Sequence, residues 1–371
     1  MNIAILGALF GDEGKGAFTH FKSRDFDWIV RYGGGANAGH TLYRDGVKFV
    51  HNLLPSIDFR YNRPKAYLGA GMVIDLDQLH YEVSTNSKIY KTIPEKIYVD
   101  KNAFVVLPEH KEEDKNMNGH IGTTNRGIGP AYSQKIARKG KRVKDMTDNM
   151  SYKQLVDMGV NFVTSLELYD SFKDSKCLFE GAQGVLLDIN FGTYPFVSSS
   201  DTTISGIGSS GFNFLNVEKV YGITKAYMTR VGNGPFPTEI FGDEAEDLRN
   251  KGAEFGATTG RPRRVGWLDL PAIRYSAKVG GISKLVITKF DILYGMDKVP
   301  VATSYKNGEP ISPDAFFKAE PEYSYHKLND YNDVLQFIKF VERETDLEVS
   351  YITDGVSESN IKSKMFAYKT C

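Results

Sequence analysis

Short apolar runs separated by stretches of helical periodicity constrain this chain more than any other feature. Ile3-Ala4-Ile5-Leu6, Trp28-Ile29-Val30, Cys177-Leu178-Phe179, Val220-Tyr221-Gly222-Ile223, Leu285-Val286-Ile287 and Val349-Ser350-Tyr351-Ile352 are rich in β-branched and aromatic residues and read as buried strands. Between such runs the clearest helix places Val334, Leu335, Ile338 and Val341 on one face, with Asn329, Asp330 or Asn332 as its N-cap. Strand alternating with helix predicts an α/β fold built on a large, mostly parallel sheet flanked by helices. With 371 residues, 41% of them hydrophobic, the chain can bury a core of that size. No repeat or low-complexity linker divides it, so residues 1–371 are read as a single domain. The Pro-, Tyr- and charge-rich segment 305–330 is read as a surface excursion.

Lysine plus arginine balances aspartate plus glutamate at 46 each. No overall field draws such a molecule to nucleic acid or a membrane, and an anionic ligand has to be held locally. The two cysteines, Cys177 and Cys371, form neither a disulfide framework nor metal-ligand spacing and are expected to be inert thiols in a reducing compartment. Met1 leads directly into a strand-like run and no stretch reaches 18 uninterrupted apolar residues, so a cytoplasmic protein is expected.

Ligands of parallel sheets collect on the loops that follow the carboxyl ends of strands. Gly7 and Gly11-Asp12-Glu13-Gly14-Lys15-Gly16 follow the first strand, and a glycine-rich turn with a lysine can cradle phosphate oxygens. This is not a standard P-loop, because Gly16 follows Lys15 where Ser or Thr would hold magnesium. A carboxylate beside phosphates is costly unless a metal or a substrate proton compensates it. Asp12 therefore reads as magnesium ligand, general base or both, set against a plain helix-dipole role that Glu13 could fill. After the second strand, Gly33-Gly34-Gly35-Ala36-Asn37-Ala38-Gly39-His40-Thr41 offers His40 as a catalytic candidate beside a glycine that lets backbone approach a ligand. Asn37 alone reads as a turn residue. Glu180-Gly181-Ala182-Gln183-Gly184 follows a third strand.

Gly122-Thr123-Thr124-Asn125-Arg126-Gly127-Ile128-Gly129-Pro130 gathers hydroxyls, an arginine and glycines in one loop, which suits an oxyanion. The basic run Lys135, Arg138, Lys139, Lys141, Arg142 and Lys144 reads as a solvated face in which Arg138 could hold a single phosphate. From Glu254 to Trp267 two threonines and three arginines sit on a glycine- and proline-bounded loop. Guanidinium forks make that loop a receptor for planar carboxylates, and Trp267 reads as packing. Lys289 and Asp291 lie at the end of the strand Leu285 to Ile287. A carboxylate there accepts N1–H and the 2-amino hydrogens of guanine and rejects adenine, so Asp291 selects guanine if it faces a base.

In order along the chain, GDEGKG, NAGHT, TTNRGIGPAY, EGAQGVLLDI, GTYPFV, TRVGNGPFPTE, GATTGRPRRVGWLD and TKFD resemble the adenylosuccinate synthetase family from end to end. The resemblance implies a P-loop-NTPase-like fold and GTP-dependent ligation of IMP and L-aspartate to adenylosuccinate through a 6-phosphoryl intermediate. It makes Asp12 and His40 catalytic: Asp12 takes the N1 proton and His40 stabilises charge on the transferred phosphoryl group. Mg2+ is then held by Asp12 and the backbone carbonyl of Gly39. By the same resemblance Gly11, Gly14, Lys15, Gly16, Gly39, Thr41, Arg263, Lys289, Asp291 and Gly355 bind the nucleoside triphosphate. Asn37, Thr124, Arg138, Gln183 and Ser198 bind the monophosphate, Arg138 reaching it across a homodimer. Thr258, Thr259 and Arg261 bind aspartate.

Several positions depart from the family pattern. Ser198 replaces threonine and keeps the hydroxyl, and Asn125 replaces a glycine where asparagine tolerates a left-handed backbone. Thr353-Asp354-Gly355-Val356 replaces Ser-Thr-Gly-Pro and adds a carboxylate that would repel guanine O6 if Asp354 pointed at it. The chain is also shorter than typical bacterial members, after Arg142 and in its C-terminal third. The alternative is the phage-type relative, which makes 2-aminoadenylosuccinate from GMP or dGMP with aspartate and ATP or GTP. That subgroup replaces the catalytic aspartate, so the retained Asp12 favours IMP. A nucleotide-binding regulator without turnover would have no use for the retained Asp12, Lys15, His40, Arg261 and Asp291 together. A small-molecule kinase would leave the arginine loop unexplained.

Overall fold

The computed structural model describes residues 1–44, 47–117, 122–212, 216–256, 260–355 and 358–363. The chain falls into two compact units: Met1–Ile5, Lys15–Gln183 and Ser198–Glu218 make the first, and Leu6–Gly14, Gly184–Val197 and Lys219–Cys371 the second.

Strands of the first unit are β1 (Asn2–Gly7), β2 (Trp28–Arg31), β3 (His40–Arg44), β4 (Val47–His51), β5 (Lys65–Leu68), β6 (Val73–Ile74), β7 (Ile97–Asp100), β8 (Phe104–Val105), β9 (Asn161–Val163) and β10 (Cys177–Gly184). Its helices are α1 (Lys15–Ser23), α2 (Leu76–Ser87), α3 (Pro108–Met117), α4 (Ile128–Ile136), α5 (Met150–Asp157) and α6 (Tyr169–Lys173). The order β1-β10-β2-β5-β7-β9 makes the sheet of this unit, with β10, β2, β5, β7 and β9 successively parallel. Register sets Cys177 beside Trp28 and Trp28 beside Lys65. Ile3, Ala4, Ile29 and Val30 are at most 1% exposed. Strands covered on both faces need near-continuous apolar runs, and each fully buried Ile or Val contributes about 1.5–3 kcal/mol. Cys177 is buried, and that burial pushes its thiol up to about 12, which leaves it inert. Cys371 lies outside the described residues.

The second unit adds β11 (Val217–Lys225), β12 (Met228–Arg230), β13 (Arg264–Gly266), β14 (Leu268–Asp269), β15 (Lys284–Thr288), β16 (Met296–Tyr305), β17 (Pro321–Leu328), β18 (Glu348–Thr353) and β19 (Ile361–Ser363). Its helices are α7 (Gly242–Gly252), α8 (Leu270–Gly280), α9 (Phe290–Leu293) and α10 (Tyr331–Thr345). β11, β15 and β18 run parallel, and β19 closes their edge antiparallel. Ten strands thus carry the large, mostly parallel sheet that the alternation of apolar runs and helices predicts. Of the three candidate caps for α10, Asp330 takes the role, its carboxylate accepting from Asp333 N at 2.9 Å, while Val334, Leu335, Phe337, Ile338 and Val341 face the core.

Segment 305–330 contains a strand whose residues are mostly exposed or half-buried. Pro321–Leu328 pairs antiparallel with β16, and Phe316, 2% exposed, packs edge-on against Tyr275. Only one face of this outer strand is covered, so tyrosines alternating with charges conceal it in the sequence.

Candidate active site

In the second unit, β1 ends in a turn that two left-handed glycines shape, Gly11 at φ 91° and Gly14 at φ 98°. Glu13 is not a helix-dipole carboxylate. It is 4% exposed, and its Oε1 accepts the N–H of Leu9 at 3.2 Å and of Gly11 at 2.7 Å, which ties the turn to itself. Thr288 Oγ1, at the end of β15, donates to the Glu13 carbonyl at 2.8 Å. Asp12 points away from this clamp with its side chain 38% exposed, and Arg263 Nε lies 2.8 Å from its Oδ2.

Arg263 is itself gripped from behind. Its Nη1 donates to Glu254 Oε2 at 2.7 Å, and Glu254, 1% exposed, also accepts from Lys225 Nζ at 2.6 Å and from Tyr227 Oη at 2.5 Å. Burial alone would raise the Glu254 carboxyl, but Lys225 and Arg263 hold it below its ordinary value. Burial lowers the guanidinium of Arg263, and Asp12 with Glu254 more than offsets it, so Arg263 stays charged.

Two of the three loop arginines have partners within the protein, Arg263 in Asp12 and Glu254 and Arg264 in Glu239. Arg264 forks onto Glu239, with Nε to Oε1 at 2.7 Å and Nη2 to Oε2, and donates to the carbonyls of Gly232 and Gly234. Arg261 stays exposed on a stem closed by Arg263 N to Glu254 O at 2.9 Å and Gly256 N to Arg261 O at 2.8 Å. Thr258 and Thr259 lie outside the described residues. Trp267 is buried, as expected of a packing residue.

At the end of β15, Lys289 Nζ donates to the Gly252 carbonyl at 3.0 Å and its N–H to Thr353 Oγ1 at 3.3 Å. Asp291 is exposed; partial burial and the charge of Asp354 raise its carboxyl, against Lys289. The carboxylate of Asp354 is engaged by Lys362 and by Asn360 Nδ2, so the group added by the departure from the family pattern is neutralised locally. Gly355 sits where a Cβ would come within 2.6 Å of Asn360 Cγ.

In the first unit, Lys15 and Gly16 open α1. A Cβ on Gly16 would fall 2.7 Å from His40 Cβ and 3.0 Å from Ser56 Oγ. That explains the non-standard phosphate loop: the space that a Ser or Thr after the lysine would need is filled by His40. The imidazole is 8% exposed, with Nδ1 2.9 Å from Ser56 Oγ and 3.1 Å from Glu180 Oε1. Glu180 Oε2 accepts the Ser56 N–H at 3.0 Å. Burial alone would raise the Glu180 carboxyl, but His40, Arg31 and Ser56 hold it at about 2. Ser56 and Glu180 occupy the Nδ1 edge of the ring, which leaves Nε2 for a ligand. The sequence offers His40 as a catalytic candidate but names Glu180 only within the run Glu180–Gly184, with no role of its own; in the structure Glu180 stands inside β10.

Asn37 and Gln183 meet around Gly34, where a Cβ would lie 3.4 Å from Gln183 Oε1 and 3.6 Å from Asn37 Oδ1. Asn37 Oδ1 accepts Gly35 N at 3.1 Å, a turn contact. Gln183 Oε1 is buried with no hydrogen-bond partner among the described residues, and such an atom in a tight polar corner is fitted to a ligand donor. Ser198 Oγ is 3.2 Å from Ser200 Oγ. Thr124 is exposed on the loop before α4, and Arg138 is exposed just beyond its end. Gly39 and Thr41, flanking His40, are half-buried.

A family model described as adenylosuccinate synthetase matches residues 4–166 and 151–361. The chain belongs to the adenylosuccinate synthetase family. It is 43% identical to the adenylosuccinate synthetase of Petrotoga mobilis over 98% of this chain and 97% of that one. It is 44% identical to the Thermus thermophilus adenylosuccinate synthetase over 82% of each. The fully ligated adenylosuccinate synthetase of Plasmodium falciparum matches it with a TM-score of 0.87 at 31% identity, covering 98% of this chain and 99% of that one. The succinoaminodeoxyadenylate synthetase of cyanophage S-2L, bound to dGMP and dATP, shares the fold with a TM-score of 0.75 at 22% identity, covering 100% and 99%.

As an adenylosuccinate synthetase family member the protein is a ligase that forms a C–N bond with GTP. Four residues expected at its site hold left-handed backbone although they are not glycine: Asp12 (φ 52°), Gln183 (φ 54°), Arg138 (φ 63°) and Lys289 (φ 66°). Such conformations cost about 1–3 kcal/mol each and persist where the direction of a side chain matters. Asn125, at φ 55°, adopts the left-handed backbone expected at its position. Among the described residues no three His, Cys, Asp or Glu side chains gather as a metal cluster. The single exposed carboxylate of Asp12 on the phosphate turn fits Mg2+, which keeps waters and takes phosphate oxygens rather than filling an all-protein cage.

Proposed function

We propose that this ligase joins IMP and L-aspartate at the expense of GTP, giving adenylosuccinate, GDP and phosphate. One observation carries the phosphoryl-transfer half: an imidazole fixed by a buried carboxylate and packed on the first residues of a helix that follows a glycine-rich, lysine-bearing turn. Helix N-termini attract phosphate, and a histidine with one nitrogen anchored presents the other to developing charge without reorganisation.

In this reading Asp12 accepts the N1 proton of IMP, and the purine O6 attacks the γ-phosphorus as GDP leaves. His40 Nε2 stabilises the transferred phosphoryl group, and Lys15 with the amides of the turn holds the triphosphate. The aspartate amine then adds at C6 and phosphate departs. Gly11, Gly14, Gly16, Gly39, Thr41, Arg263, Lys289, Asp291 and Gly355 complete the proposed triphosphate site. Asn37, Thr124, Gln183 and Ser198 hold the monophosphate, its 5′-phosphate taken by Arg138 of a second subunit in a homodimer. Thr258, Thr259 and Arg261 take the aspartate carboxylates. Asp12 and the Gly39 carbonyl are the proposed ligands of Mg2+, which when bound neutralises charge on the phosphates. We place the reaction in one catalytic domain of a cytoplasmic protein; no helix among the described residues is long and apolar enough to cross a membrane.

Replacing Asp12 with asparagine tests the reading. Turnover falls by about 10²–10⁴-fold, the range of a lost general base, while IMP binding measured by calorimetry persists. Unchanged turnover in that variant would refute the assignment.

A further inference from the structure

The chain of charges behind Asp12 runs deeper than the phosphate turn requires. Arg263 touches Asp12 with Nε at 2.8 Å and Glu254 with Nη1 at 2.7 Å, so a single planar guanidinium spans an exposed carboxylate and a buried one. Glu254 is 1% exposed and cannot reach solvent. Its second oxygen is held by Lys225, 3% exposed, and by Tyr227, and Lys225 Nζ is also held by Thr229 Oγ1 at 2.9 Å. The backbone adds a further tie, because Arg263 N donates to the Glu254 carbonyl at 2.9 Å. Arg249 Nε fixes the Arg263 carbonyl at 2.9 Å.

Burying a carboxylate and an ammonium together costs more than a hydrophobic pair of the same volume would, so their retention at a hairpin stem is a poor stability device. What the arrangement does is remove freedom from one arginine. A long, flexible side chain that ends 13% exposed beside Asp12 would otherwise sample many rotamers. The buried carboxylate holds Nη1 and thereby fixes where the guanidinium stands as the ion-pair partner of Asp12, with Nε 2.8 Å from Oδ2.

We propose that Glu254 is a positioning residue for the ligation: by holding Arg263 it sets where the guanidinium stands against Asp12, with Lys225 and Tyr227 as its own supports. The inference rests on the reading of Asp12 and Arg263 as part of the reacting site, and the Asp12→Asn variant tests that reading separately. Glu254 touches neither substrate nor phosphate in this account, so its loss lowers kcat through Arg263 alone.

A double-mutant cycle tests the point in the full-length protein. Glu254→Gln keeps the shape and removes the charge. It is expected to lower kcat by about 10-fold, with the KM values for IMP and GTP within about 2-fold of wild type. In an Arg263→Gln background the same change is expected to alter kcat by less than about 2-fold, since the residue it acts through is already gone. Glu254→Asp, which restores the charge one methylene short, should recover part of the loss. An equal fall of kcat in both backgrounds, or a Glu254→Gln enzyme with wild-type kcat, would overturn the proposal. Should Glu254→Gln fail to fold because Lys225 is left buried and unpaired, Glu254→Gln/Lys225→Met removes both charges and enters the cycle in its place. If Asp12→Asn keeps its turnover, the parent reading fails. If Asp12→Asn is inactive and the cycle is additive, only the role of Glu254 fails.

Discussion

A serine at position 16 would supply the hydroxyl that follows the lysine in a standard phosphate loop, yet its Cβ would stand 2.7 Å from that of His40. Gly16→Ser is therefore expected to push the imidazole off Glu180, to cost about 1–3 kcal/mol of stability as an overpacked site does, and to lower kcat by at least about 10-fold. Thermal melting and steady-state kinetics on the same preparation check both. Glu180 supports a second expectation, with a sign. Its folded pKa, near 2, lies below the ordinary carboxylate value of 4.5, so its ionisation stabilises the fold above that value. The contribution is lost as pH falls from about 4.5 to about 2. Denaturant titrations across that window should show wild type losing stability more steeply than Glu180→Gln, and parallel curves would contradict the assignment. Glu180 is also a residue that the sequence placed in a polar run without a role. A carboxylate within a strand has no distinguishing pattern, and 124 residues separate it from Ser56, the group that it and His40 share. Asp12 and His40 were singled out because each stands in or beside a glycine-rich loop. The commitments of Arg263 and Arg264 were not, because their partners Glu254 and Glu239 look like any other acids until the hairpin stem forms.

Elements were read best where burial is complete. The apolar runs beginning at Ile3, Trp28, Cys177, Val220, Leu285 and Val349 all lie in strands of the large sheet, because a strand covered on both faces leaves no room for polar residues. Strand β17 went unread because its tyrosines and charges share one half-covered ribbon with β16. Helix α10 offered three candidate caps in sequence, and only the geometry chose Asp330 over Asn329 and Asn332. Removing that cap with Asp330→Ala should cost about 1 kcal/mol, seen as a lower melting temperature, with kcat unchanged. A fall in kcat without a fall in melting temperature would show that α10 has a role beyond support.

For the whole molecule, a formal charge of zero means that affinity for three anionic substrates has to come from local groups rather than a global field. The local groups are those of a family ligase, and the match extends over 98% of the chain for the Petrotoga mobilis relative. The cyanophage protein shares the architecture, so the choice of purine rests on the residues of the site rather than on the fold. Phosphate release by the purified protein decides it, measured with IMP, L-aspartate and GTP, with each omitted in turn, and with GMP or dGMP in place of IMP. Release is expected only with all three present, and at least about 10²-fold slower with either guanine monophosphate. Release without aspartate, or equal rates with dGMP and IMP, would contradict the account.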